Sequence, residues 1–171
     1  YGVIMYVNFI FLGVFIGYSI GSAPVVSYHF GADNRVELRG LLRRSMGIIA
    51  ALSVAMTVLA ELLAQPLARL FVGYDEALLA MTRHGFMLYS LSFLFAGGGI
   101  FGSAFFTALN NGAVSALISF LRALVFQVTA VLILPRIMGL DGVWLAVPAA
   151  EALALAVAAA CFSAKRRKYG Y

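Results

Sequence analysis

Arg122 and Glu151 are charged residues set inside apolar runs, SFLRALVFQ and LDGVWLAVPAAE. A charge in such surroundings needs a partner, a polar cavity or water, because hydrocarbon solvates it at a cost of several kcal/mol. If the two runs are antiparallel helices with Pro135 level with Val143, Glu151 falls level with Gln127. Arg122 then sits about 7.5 Å further along the axis, a gap that its long side chain can cover. The three residues form a predicted polar cluster, either a clamp between helices or one wall of a translocation cavity, with Gln127 as the expected first partner of Glu151.

Two glycine groups are the other candidates. Gly13, Gly17 and Gly21 recur every four residues, which puts bare backbone on one helix face and invites another helix to approach closely there. Pro24 follows and is expected to bend the end of that helix, so this segment is read as packing or gating. Gly97, Gly98, Gly99 and Gly102 cluster within a third apolar run, where each glycine lowers helix stability by about 1 kcal/mol relative to alanine. An interrupted helix lining a substrate or ion site and simple close packing are both open readings.

No catalytic chemistry is expected from this chain. It lacks HExxH, a P-loop and a GxSxG elbow, and GYSIGS lies within an apolar run without a preceding strand. His29 and His84 are predicted on opposite sides of the membrane, with His84 and Glu61 near one boundary. The single cysteine, Cys161, excludes an intrachain disulfide and a thiolate metal cluster; no metal site or cofactor is expected.

The elements that must position these residues follow from composition. Hydrophobic residues make up 63% of the chain and charged ones 11%, and the mean hydropathy is +0.98. So few charges cannot cover a water-facing globule, and helices that are apolar all round belong in lipid. Five runs reach the roughly 20 residues that a hydrocarbon core requires: 2–28, 45–65, 85–109, 114–134 and 143–164. The predicted fold class is an all-α integral membrane protein of five spans.

The basic residues give direction to these spans. Arg35, Arg39, Arg43 and Arg44 occupy the first connection, and Lys165, Arg166, Arg167 and Lys168 the tail, both of which are predicted cytoplasmic. The start of the chain is then outside. The net charge of +5 is thereby read as a topology signal, without an interleaved basic and aromatic surface for nucleic acid. Asn34 followed by Glu37 has capping spacing and predicts a short helix from there lying at the membrane surface, with arginines on one face and Leu38, Leu41 and Leu42 on another. Its reading is a topology anchor, preferred over the alternative of specific lipid binding. Asp75 is expected to cap a third helix extended outward through Leu78 and Met81, and Pro66 to end or kink the second. Tyr1 in place of Met, with no basic stretch and no cleavage site, argues against a signal peptide and predicts that the chain starts inside something larger.

Four strings in order, GYSIGSAPVVSYHFGADN, FFTALNNG, SFLRALVFQ and LDGVWLAVPAAE, resemble the C-terminal half of the MATE (multidrug and toxic compound extrusion) transporters. The resemblance implies that residues 1–171 match helices eight to twelve of a twelve-helix, two-lobe transporter, without its N-terminal lobe and seventh helix. It implies plasma-membrane antiport, with drugs or metabolites exported against protons or sodium, a small cationic organic substrate, and the lipid bilayer and the other lobe as partners. Coupling carboxylates in the family are often on the first, seventh or tenth helix. The run matching the tenth carries no acid, which leaves Tyr89, Ser90, Ser92 and Thr107 as its polar candidates and Phe93 and Phe95 as contacts for an organic cation. A lipid-linked saccharide flippase of the same superfamily and a non-transporting scaffold subunit remain the alternatives.

The orientation is testable. With Cys161 replaced, Arg39→Cys is expected to resist a membrane-impermeant maleimide added outside, and Asp75→Cys to react; the reverse pattern would overturn it.

Overall fold

A computed structural model describes residues 2–171, and these are almost entirely helical. Helix α1 spans Gly2–Gly31, α2 Arg35–Val72 and α3 Glu76–Ala108. The fourth span combines α4 (Gly112–Phe120), a π-helical segment (Leu121–Phe126) and α5 (Gln127–Met138), and α6 (Leu140–Tyr169) completes the bundle. All five spans are long and apolar enough to cross a bilayer. Their outer faces carry Phe9, Ile10, Leu62, Leu70 and Ile137 exposed, the arrangement expected when lipid rather than water is the solvent.

The caps read from the sequence form. Asn34 Oδ1 accepts from the Glu37 backbone N–H at 3.2 Å, and Asp75 Oδ1 accepts from those of Ala77 and Leu78 at 2.9 and 3.1 Å. Asp33 and Asn110 take left-handed backbone at the turns after α1 and α3, a conformation that short polar side chains tolerate.

Two expectations about α2 are corrected. The arginine-rich stretch is no separate surface helix; it is the first part of one 38-residue helix. Leu38 explains the difference, since it is drawn into the core at 1% exposure and stands the stretch upright. At 1.5 Å per residue the helix is about 57 Å long, far more than the roughly 30 Å of hydrocarbon, so it projects from the membrane. Of the two outcomes expected at Pro66, an end or a kink, the end is excluded. The helix runs on to Val72, as membrane helices allow when the carbonyl freed by proline is re-satisfied locally.

Helix α3 is the centre of the bundle, packed on α1, α2, α4 and α6. The glycine cluster is the reason, and it is continuous helix, so the interrupted-helix reading is corrected to close packing. A Cβ on Gly97 would lie 2.8 Å from the Phe15 ring and 3.0 Å from Ile49, one on Gly98 would strike Leu155, and one on Gly102 would lie 3.0 Å from Ala158. Helix α6 answers with its own small face, Ala146, Ala150, Ala154 and Ala158, all buried. Small residues on both sides let the two backbones approach, the usual basis of helix association in lipid. Hydroxyls add further ties: Tyr18 donates to Ser45 at 2.9 Å, and Ser103, Thr107, Ser115 and Ser119 form a chain across α3 and α4.

The other glycine group behaves differently. Gly13, Gly17 and Gly21 are exposed, a Cβ on any of them meets nothing within 4 Å, and Pro24 beside them is exposed inside a continuous α1. No described element of this chain fills the face expected to receive a helix, because α1 meets α3 and α2 through Phe11, Phe15 and Tyr18 on its other sides.

Gly97→Ala is therefore expected to lower stability by about 1–3 kcal/mol through overpacking, whereas Gly17→Ala should be neutral or stabilising by up to about 1 kcal/mol through helix propensity. Thermal unfolding in detergent measures both. Equal losses would contradict the packing described.

Candidate functional site

Glu151 lies one residue beyond Ala150, on the side of α6 that meets both α3 and α5. Ala130 of α5 packs with Ala146 and Ala150, so the small side chains that close the helix junction also hold a carboxylate within it. Glu151 is 6% exposed. Arg122 reaches it with a forked contact: Nε donates to Oε2 at 2.7 Å and to Oε1 at 3.0 Å, and Nη2 donates to Oε1 at 2.8 Å. The arginine side chain passes beside Gly99, with its Cδ 3.6 Å from where a Cβ there would be, an ordinary contact distance.

Arg122 is thus the direct partner of Glu151, and the expectation that Gln127 comes first is corrected; no hydrogen bond joins Gln127 to Glu151. The π-helical segment is the local cause. In a regular α-helix residues five apart are turned about 140° from each other, and the wider turn of a π segment, with its i→i+5 bonds, reduces that angle. Leu121–Phe126 therefore brings Arg122 and Gln127 toward one face of the fourth span, the face presented to α6.

A cavity of about 170 Å³ opens beside this pair. Tyr89 and Ser92 from α3, Gln127 from α5, Glu151 from α6 and Asn8 from α1 line it. All five pathway candidates of the sequence, Arg122, Gln127, Glu151, Tyr89 and Ser92, are thereby at or beside one site. The sequence reading missed Asn8, a buried amide in α1; the rule that singled out Arg122 would have found it had it been applied to uncharged polar groups.

Other candidates lie elsewhere. Phe93 is in the core, 5.0 Å from the Phe11 ring and 6.2 Å from that of Tyr89. Ser90 donates to the Met87 carbonyl and to Glu61 at 3.4 Å, and Thr107 belongs to the hydroxyl chain. The site sits in the half of the bundle that holds the start of α1. At the same end, the His84 ring contacts Asp141 at 2.9 Å where both are exposed. The Arg35–Arg44 stretch and the chain's tail meet at the opposite end, where Arg39 Nη2 donates to the Gly170 carbonyl at 3.4 Å.

An apolar-surfaced helical bundle with an ion pair and polar cavity inside it is a multi-pass membrane protein. The comparisons make the class specific: the sequence profile of the MatE family matches residues 1–132, and the chain belongs to that family. The fold is similar to the Vibrio cholerae MATE transporter VcmN in its bent form (TM-score 0.88, 17% identity, covering 98% of this chain and 38% of that one). It is also similar to a multidrug resistance MATE family transporter of the MOP superfamily, in its outward-facing conformation (TM-score 0.85, 19% identity, 97% and 38% covered) and its inward-facing one (0.78, 21%, 96% and 38%). The chain thus spans under two-fifths of the length of these solved transporters. Comparison with curated protein sequences returns no match.

Removing either partner of the buried pair leaves the other charge uncompensated. Glu151→Ala and Arg122→Ala are each expected to cost about 3–5 kcal/mol, and the double variant clearly less than their sum. Thermal unfolding of the four proteins measures the coupling, and simple additivity would mean that the pair contributes none.

Proposed function

We propose that this chain is the C-terminal-lobe part, helices eight to twelve, of a cation-coupled antiporter that exports drugs or metabolites across the plasma membrane. The start of α1 faces outside and the basic end is cytoplasmic. The observation that carries the reading is the Arg122–Glu151 pair beside the cavity of Asn8, Tyr89, Ser92 and Gln127. A proton or sodium ion arriving at Glu151 competes with the guanidinium for the same two carboxylate oxygens, so ion binding and the position of Arg122 are linked. A carboxylate that exchanges partners in this way is a means of coupling an ion to a change in shape.

The remaining polar lining is uncharged, and Tyr89 offers an aromatic ring to an organic cation. An anionic lipid-linked saccharide needs free basic groups in the lumen. Arg122 is committed to Glu151, which favours the antiporter over the flippase. The other lobe and the seventh helix supply the opposite wall of the pathway.

Glu151→Gln is expected to abolish export of a fluorescent organic cation with expression intact, because an amide cannot cycle a proton or hold sodium as a carboxylate does. Retained export in that variant would reduce the pair to a clamp and remove the coupling role.

A further inference from the structure

At the basic end, α2 and α6 leave an open cleft of about 260 Å³ between them. Arg39 and Arg43, one helical turn apart, stand on one wall and Arg166 on the other, with Leu42, Phe162 and Tyr171 forming the apolar part. Arg43 and Arg166 make no ion pair among the described residues, and Asp33, an acid close by in sequence, is taken by Arg35 at 3.0 Å. Three like charges around one cleft repel one another, and like charges one turn apart on a helix are destabilising. An anion between them reverses the sign of that interaction.

We infer that this cleft binds an anionic phospholipid, its phosphodiester held between Arg39, Arg43 and Arg166 and an acyl chain laid on Leu42 and Phe162. Guanidinium forks match phosphate oxygens in pairs, and basic pockets between membrane helices are suited to such headgroups. The apolar wall decides for a lipid over a free phosphate. Leu42 is followed one turn on by the exposed Met46, so a greasy track leads from the arginines toward the hydrocarbon. The chain's tail shapes the other side: Tyr171 donates to the Phe162 carbonyl at 3.3 Å, and the Arg39 contact to Gly170 pins the tail over α2. The inference does not depend on the transport reading, and its test does not measure transport.

The test is a thermal-shift titration of the full-length protein in detergent with dioleoyl phosphatidylglycerol, against phosphatidylcholine and against inorganic phosphate. Only the anionic lipid is expected to raise Tm. The Arg43→Gln/Arg166→Gln variant should bind it about thirtyfold more weakly, the equivalent of about 2 kcal/mol at roughly 1 kcal/mol per basic residue. Arg44→Gln/Arg167→Gln removes the same charge outside the cleft and should bind like the parent. Equal losses in the two pairs, no loss in the first, or an equal shift from phosphate alone would overturn the assignment. If the glutamine pair lowers the lipid-free Tm, Arg43→Lys/Arg166→Lys keeps the charge and loses the forks. Native mass spectrometry should then show severalfold less retained phosphatidylglycerol, and undiminished retention would overturn the proposal.

Discussion

The close approach of α3 and α6 governs this bundle. Gly98 and Gly102 on one helix and Ala150, Ala154 and Ala158 on the other remove the side chains that would keep the axes apart. Water does not drive helices together within lipid, so association depends on such contact of backbone with backbone. Everything at the site follows from it. Glu151 sits among the alanines of α6, and Arg122 passes beside Gly99 to reach it.

The same absence of water explains how polar groups are disposed elsewhere. Hydroxyls donate to neighbouring hydroxyls or to backbone carbonyls, as Ser27 does to Ala108 at 3.0 Å and Thr57 to Ser53 at 2.9 Å. Free charges gather at the two ends. Deep within the spans lies the Arg122–Glu151 pair, which is retained although an apolar pair of similar volume would often serve stability as well or better. That ion pair, next to a cavity with four uncharged polar linings, is the basis of the proposed coupling role.

The two faces of α1 show a bundle finished on one side and open on another. Phe11 and Phe15 are sealed into the core, while Gly13, Gly17 and Gly21 stand bare. In a family whose solved members are more than twice as long as this chain, a surface of that kind fits the proposed second lobe.

The sequence by itself determined the number of spans, their helical state, the caps at Asn34 and Asp75, and the gathering of basic residues at one end. These depend on local composition, on spacing along one chain and on the length needed to cross hydrocarbon. It also singled out Arg122 and Glu151, because a charge in an apolar run needs a partner wherever the run is placed. The tertiary structure decided who that partner is. A depth argument built on straight α-helices favoured Gln127; the π segment changes the rotation of the fourth span by an amount that no residue in LRALVF announces. It likewise decided between two glycine clusters of similar appearance, since a bare face packs only if another helix is brought to it. Leu38 belongs to the same class: its type allowed a helix lying on the membrane, and the core beneath it, assembled from α1 and α6, pulled that helix upright.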